Sequence, residues 1–411
     1  MGSEREFDVV LFGATGFTGR LVAEYLCEFH RGGARWAMAG RNLTKLKEIQ
    51  AEIATRFPEV AEIPLLVADS HDGSSLQSLA RRTRVVCTTV GPYAKYGNEL
   101  VAACVAEGTD YCDLTGEVQW IRRMVDAHHD AAMGSGARIV HCCGFDSVPS
   151  DLGNWLLQST SLERHGAPAT HVRFYVRKAK GGFSGGTVAS MMNLMEEARD
   201  PAIRKILGNP YSLLPEGERK GPHRGDPNGV AWSAEVQGWT GPFVMASVNS
   251  RVVRRSNALL GFPWTRELNY AEVTRTGKGV GGLLSAVALA GGLGAFVAAA
   301  AVPPVRKLMQ KTILPAPGQG PTAEAIANGF FEIELVGRTE AGAETRVRVK
   351  GHRDPGYGAT ACMLAESALC LALDPAAGMQ GGVLTPASAL NSALMARLNQ
   401  TLVQFEAVPA S

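Results

Sequence analysis

The feature that most constrains this chain is a glycine loop, Gly13-Ala14-Thr15-Gly16-Phe17-Thr18-Gly19, lying between an apolar run and an amphipathic one. Residues 7–12 read as a buried strand. Leu21, Val22, Tyr25, Leu26 and Phe29 then mark one face of a helix. Gly13 permits a tight turn at the strand end, Gly16 lets a bulky anion approach the backbone, and Gly19 lets helix and strand pack closely. The free amides at the helix start then face that anion, which fits the pyrophosphate of a dinucleotide. The spacing is GxxGxxG and specifies little alone; the strand, helix and second strand around it supply the context.

Apolar strands at residues 36–39, 64–68, 84–89, 110–114 and 138–142 alternate with helical stretches at 43–53, 74–82, 98–107 and 118–133. Continuous apolar strands joined by helical crossovers predict a parallel, doubly wound α/β sheet of the Rossmann type. A chain of 411 residues exceeds one ordinary core. The rhythm changes after Pro149, with strand-like runs at 170–176, 230–236, 268–274, 329–336 and 344–350, a helix at 187–199, and helices at 359–373 and 386–402. This predicts a nucleotide domain over 1–150 and a second α+β domain over 151–354 with a mixed or antiparallel sheet. Residues 208–229, dense in Gly, Pro and charge, read as a long surface loop.

The end of the second strand selects the cofactor. An acid there would hold a ribose diol, but this chain has Gly40-Arg41-Asn42, with Lys45 one turn on. A guanidinium pairs with a 2′-phosphate, so NADP(H) is the expected cofactor; the alternative is a solvated arginine. Asp69, ending the third strand, reads either as an adenine contact or as a helix N-cap. Thr89, Val90, Gly91 and Pro92 end the fourth strand, where they either shape the cofactor wall or make a turn.

No tyrosine has a lysine four residues later, which disfavours the Tyr-x-x-x-Lys pair of short-chain dehydrogenases. The candidate catalytic residues are Tyr93, a proton donor after the fourth strand, and Asp146, after the sixth; a structural role competes for both, and for Asp146 it is a helix cap or the fixing of the crossover. Asp113 and Glu117 read as loop-orienting carboxylates, and His141, at the end of the sixth strand, reads either as a site residue or as a satisfied core histidine. Gly182-Phe183-Ser184-Gly185-Gly186 matches the G-x-S-x-G nucleophile pattern, with His223 or His352 as base. A complete nucleotide domain upstream favours a glycine-rich turn instead, with Ser184 and Thr187 capping the next helix.

With 41 basic and 39 acidic residues the net charge is +2, and no basic patch marks a nucleic-acid partner. Eight scattered cysteines without CxxC spacing, and a start without an apolar signal run, point to a cytoplasmic protein without a metal site. Residues 279–302 carry no charge. A buried helical hairpin broken at Gly291, Gly292 and Gly294 is the expectation; contact with a membrane surface and a single span are the alternatives. A sheet in the second domain also offers a surface for a homodimer.

The segments GATGFTGR, AGRN, TTVGPY, DYCDLTGE, HCCGFDSVPSDLG, GGFSGGT and GGVLTPASAL together resemble the saccharopine dehydrogenase-like oxidoreductases, and most closely their trans-acting enoyl reductase branch. The resemblance implies NADPH-dependent reduction of an enoyl group on a lipid or polyketide intermediate, an apolar or carrier-bound acyl substrate, and a return of residues 355–411 to the nucleotide domain. An amino-acid dehydrogenase and a non-catalytic NADP-binding scaffold at a membrane remain the alternatives.

Overall fold

A computed structural model describes residues 5–30, 33–182, 185–223, 225–312, 320–374 and 379–409. The first half follows the alternation read from the sequence. Its elements are β1 (Phe7–Phe12), α1 (Phe17–Phe29), β2 (Trp36–Gly40), α2 (Leu43–Ala54), β3 (Leu65–Val67), α3 (Gly73–Arg82), β4 (Thr83–Thr88), α4 (Tyr93–Tyr96), α5 (Asn98–Glu107), β5 (Asp110–Cys112), α6 (Val118–Ser135) and β6 (Arg138–Val140). The strands pair in parallel in the order β3-β2-β1-β4-β5-β6. Strand order reverses between β1 and β4, which opens a crevice at their carboxyl ends. Alternate residues of β1 face opposite ways. Val9 and Leu11 pack with Val22 and Leu26 of α1, whereas Val10 and Phe12 pack with α3, α5 and α6.

α7 (Val148–His165) carries the chain into the second half. There follow β7 (His171–Lys180), α8 (Gly185–Glu197), α9 (Pro201–Gly208), β8 (Ala231–Ser233), β9 (Gly238–Pro242), α10 (Ala246–Leu259), β10 (Asn269–Gly277), α11 (Gly279–Ala301), α12 (Pro303–Thr312), α13 (Ala323–Ala327), β11 (Phe330–Arg338) and β12 (Glu344–Gly351). The chain ends with α14 (Gly358–Leu373), β13 (Gly382–Leu384), α15 (Pro386–Ala389), α16 (Asn391–Asn399) and β14 (Val403–Ala407).

The second sheet has the order β14-β12-β11-β7-β10-β9-β8 and is mixed: β7 and β10 run parallel, and the other neighbours are antiparallel. Its inner face (Val172, Phe174, Ile333, Leu335, Val347, Val349) meets Leu152 and Leu157 of α7, and this packing is continuous with α14 and the first sheet. Segment 355–411 divides between the two sheets. β13 extends the nucleotide sheet beyond β6, and the buried α14 packs on β1, β4 and β5, but β14 pairs with β12 of the second sheet.

Two other expectations are corrected. Residues 279–301 form one unbroken 23-residue helix, not a hairpin, and most of it is exposed. Three glycines cost about 1 kcal/mol each relative to alanine, too little to break a helix otherwise rich in Ala and Leu. The 208–229 loop is not wholly superficial: Tyr211, Ser212, Leu213 and Leu214 are buried. Arginines take up carbonyls of this segment and of the end of α9 before it. Arg255 donates to Leu213, Arg254 to Pro210, Arg251 to Leu207 and Asn209, and Arg122 to Ser212.

Candidate active site

At the carboxyl end of β1 the chain turns at Gly13, whose φ is +96°. A methyl on Gly13 would lie 2.7 Å from Thr89 Oγ1, and one on Gly19 would lie 2.2 Å from the Gly13 carbonyl oxygen. Both positions therefore exclude any side chain, and Thr89 locks the turn by donating to the Gly13 carbonyl at 3.2 Å. Gly16 is exposed, caps α1 without a side-chain hydrogen bond, and has no close neighbour where its Cβ would be except the Gly13 carbonyl at 3.4 Å. The amides that open α1 at Phe17 and Thr18 thus face an open cradle, as an anion requires. Ala14 is buried beneath it and Thr15 is half-buried beside Gly40. The Phe17 ring meets Tyr357 edge-on at 4.9 Å, which ties the cradle to the start of α14.

Arg41 and Lys45 are both exposed just past β2. Among the described residues neither side chain has an ion-pair partner, so this edge of the cradle presents two uncompensated cations. Asn42 lies between them and caps α2, its side chain accepting the Lys45 amide at 3.0 Å. Asp69 is not the N-cap of α3; Asp72 is, and Asp69 accepts the His71 amide at 2.9 Å in a local turn. Past β4, Val90 donates to Thr88 Oγ1 at 3.2 Å, and the Gly91–Pro92 peptide is cis. The cradle, the free amides and the two cations fit NADP(H), with its pyrophosphate and extra phosphate.

Next to the cradle is a cavity of about 210 Å³. Its floor is formed by the segments that follow the strands: Thr18 at the start of α1, Thr89, Gly91 and Pro92 after β4, Glu117 capping α6, and Asp146 after β6. Its roof comes from the second domain: Ala189, Met191 and Leu194 of α8, then Val244, Met245 and Val248 leading into α10. Asp146 is half-buried and has no hydrogen-bond partner among the described residues. Burial alone pushes its carboxyl up to about 6. It caps no helix; the N-cap of α7 is Ser147.

Tyr93 also lines the cavity, but its hydroxyl is directed into the domain. It donates to the Thr88 carbonyl at 3.3 Å and accepts the Leu114 amide at 3.1 Å, and the ring stacks on Trp120. Burial, then the charge of Asp113, raises the phenol far above its ordinary range. A hydroxyl committed in this way has no proton to offer a substrate, so the geometry assigns Tyr93 a positioning role. Glu117 and Asp113 orient loops, as expected. Glu117 accepts the Tyr93 and Ala94 amides at 2.8 and 3.0 Å and the Ser190 hydroxyl of α8 at 2.9 Å. Asp113 accepts the Thr115 and Cys142 amides at 3.0 and 3.1 Å and lies 2.7 Å from His141 Nδ1. His141 is buried edge-on against Trp120, in the core and outside the cavity wall.

The apolar roof escaped sequence reading. Met245 and Val248 have helical spacing, but no motif marks them. Ser184, and the side chain of Thr187, lie outside the described residues. His223 contacts the Glu267 carbonyl and His352 is exposed; neither lines the cavity.

Residues 9–140 match the family model of the saccharopine dehydrogenase NADP-binding domain. A protein of Mycobacterium tuberculosis assigned to the trans-acting enoyl reductases is 44% identical over 406 residues, covering 96% of each chain. The trans-acting enoyl reductase of Mycobacterium leprae is 38% identical over 411 residues, again covering 96% of each chain. Among solved structures, apo saccharopine dehydrogenase (L-Glu forming) from Saccharomyces cerevisiae superposes with a TM-score of 0.51 over 98% of this chain and 99% of that one. At 13% identity that likeness is one of fold. The chain therefore belongs to the trans-acting enoyl reductase family, an NADP(H)-binding branch of the saccharopine dehydrogenase-like oxidoreductases.

Proposed function

We propose that this chain reduces the carbon–carbon double bond of an enoyl group on an apolar acyl or polyketide-type intermediate, free or carrier-bound. The observation that carries this reading is the cavity wall. It combines an apolar roof with two carboxyls, Glu117 and Asp146, and has no Lys or Arg among the described residues that line it. An amino-diacid substrate needs cations to hold its carboxylates, so this wall disfavours the amino-acid dehydrogenase reading. The names of the relatives support the same choice.

NADPH, when bound, supplies a hydride. In this reading the loop from Gly13 to Gly19 receives its pyrophosphate, Arg41 and Lys45 neutralise the 2′-phosphate with Asn42 setting their helix turn, and Thr89, Val90, Gly91 and Pro92 form the wall beside it. Asp69 shapes the neighbouring turn. Asp146 holds a proton in a half-buried, unpaired carboxyl and delivers it to the carbon next to the acyl carbonyl. Tyr93 and Glu117 keep the 93–94 turn in place. The cavity is smaller than the ~300–1,000 Å³ of sites that enclose a drug-sized ligand. It suits the reacting end of a longer chain whose remainder lies beneath α8.

The experiment is NADPH consumption by the purified protein with a medium-chain enoyl thioester, compared with a soluble amino-diacid plus 2-oxoacid pair. Saturated thioester product with turnover of the enoyl substrate alone is expected. Turnover of the diacid pair without enoyl reduction would overturn the assignment.

A further inference from the structure

α11 is apolar along its whole length of about 34 Å. Its first half lies on the second sheet: Thr276 donates to the Gly282 carbonyl at 2.8 Å, and Leu289 packs near Gly241 of β9. The opposite face has no cover. Val280 is 74% exposed, Leu284 63% and Val287 53%. Val297, Val302 and Val305 continue the exposed apolar surface through the end of α11 into α12. Burying so large an unpaired apolar face against a partner is strongly favourable, and monomeric surfaces rarely leave one uncovered.

Charge identifies the partner. Between Glu272 and Glu324 the chain contains no acidic residue, but it contains Arg275, Lys278, Arg306, Lys307 and Lys311, in a protein whose net charge is only +2. Lys278, just before α11, and Lys307, on α12, are exposed, whereas Arg306 is buried and donates to the Ala300 carbonyl. An apolar helix bracketed by cations matches a bilayer with anionic headgroups, where the cations meet phosphate and the apolar face enters the acyl boundary. The attachment decides orientation. β10 leads directly into α11, and α12 turns back to contact α8. Both ends of α11 therefore stay on the body of the protein, so the helix lies along the surface and does not cross it.

We infer that α11 and α12 dock this enzyme flat on an anionic lipid bilayer, placing α8, the roof of the cavity, at the membrane surface. α8 touches both docking helices and supplies Ala189, Met191 and Leu194 to the cavity. An acyl chain leaving the bilayer beside α11 thus has a short apolar route to Asp146. This delivery role rests on the acyl reading above; the docking itself does not.

The test uses the full-length protein and vesicles of phosphatidylcholine with or without phosphatidylglycerol, separated by flotation. Native protein is expected to float with the anionic vesicles, at least about tenfold less with neutral ones, and less in high salt. The double variant Leu284→Glu/Val287→Glu changes exposed positions only. It should stay folded by circular dichroism, keep NADPH binding and turnover of a soluble short-chain enoyl thioester, and lose flotation. Its turnover of a vesicle-embedded enoyl lipid should fall about tenfold or more. Failure of the native protein to float overturns docking. So does a native dimer in gel filtration that the double variant dissolves, because a second copy then covers this face. Equal flotation on neutral vesicles overturns the anionic specificity. Flotation without any enoyl turnover leaves docking standing and removes the delivery role.

Discussion

Asp146 is the one cavity carboxyl without a hydrogen-bond partner among the described residues, and that sets its chemistry. With no donor to stabilise the anion, burial favours the protonated form up to about pH 6. Asp146→Asn keeps the shape and removes the proton, so kcat should fall by about 10²–10⁴-fold while NADPH affinity holds. The native rate should also decline as pH rises above about 6, because the acid form is lost, whereas the residual rate of the variant should not show this limb. Tyr93→Phe should behave differently: it loses two buried hydrogen bonds and about 1–3 kcal/mol of stability, with a smaller effect on rate. At the cofactor edge, Arg41→Ala should weaken NADPH binding by roughly 10–100-fold and leave NADH binding nearly unchanged. Equal losses for both cofactors, measured by fluorescence titration, would remove Arg41 from the 2′-phosphate. These residues were legible because a strand end, a glycine spacing and a basic residue are local facts. The choice between Tyr93 and Asp146 was not, because it depends on where a hydroxyl finds partners in space.

The same division holds for elements. All six strands of the nucleotide half showed in the sequence because buried parallel strands are continuous apolar runs. α10 did not: Ala246–Leu259 carries three arginines, three serines and two asparagines besides its apolar residues, which leaves no clean apolar stripe to mark a helix. Its arginines are buried because the carbonyls of residues 207–214, far away in sequence, accept their protons. No sequence window contains that exchange. α7 was hidden likewise by buried Ser150, Asp151 and Asn154. β14 was missed although its signal was present, since Val403, Phe405 and Ala407 alternate with Gln404 and Glu406. Arg255 tests the reading of α10. It is fully buried, donates to Leu213 and to Val383 of β13, and burial lowers it to about 9. Arg255→Met would strand two buried carbonyls. Loss of roughly 2–4 kcal/mol is expected in urea unfolding, with less effect if the loop can expose those carbonyls to water.

At the scale of the whole molecule, the two halves meet across buried carboxyls that lack cations among the described residues. Asp151 of α7 accepts Ser256 Oγ at 2.5 Å and the Ala387 amide at 2.8 Å, linking α7, α10 and the C-terminal return. Glu272 of β10 accepts Tyr270 and Asn249 at 2.6 and 2.8 Å, and Asn249 reaches Ser147 beside Asp146. Burial outweighs these hydrogen bonds and pushes Asp151 up to about 7 and Glu272 up to about 8. The folded state therefore holds protons that the unfolded chain releases near pH 4. Stability must fall as pH rises from there, by about 1.4 kcal/mol per pH unit for each group, and each contribution levels off once its folded value is passed. The lowered histidines, His128, His129 and His223, act in the opposite sense but only below about 6.5, and buried thiols add to the decline only above about 8.5. Melting between pH 6.5 and 8 thus isolates the carboxyls. Tm should fall across that window, and Glu272→Gln, which keeps the shape without an ionisable group, should flatten the decline between pH 7 and 8. A Tm that rises over the window would mean that Glu272 is ionised in the folded protein, with water or an unseen cation reaching the junction between the two sheets.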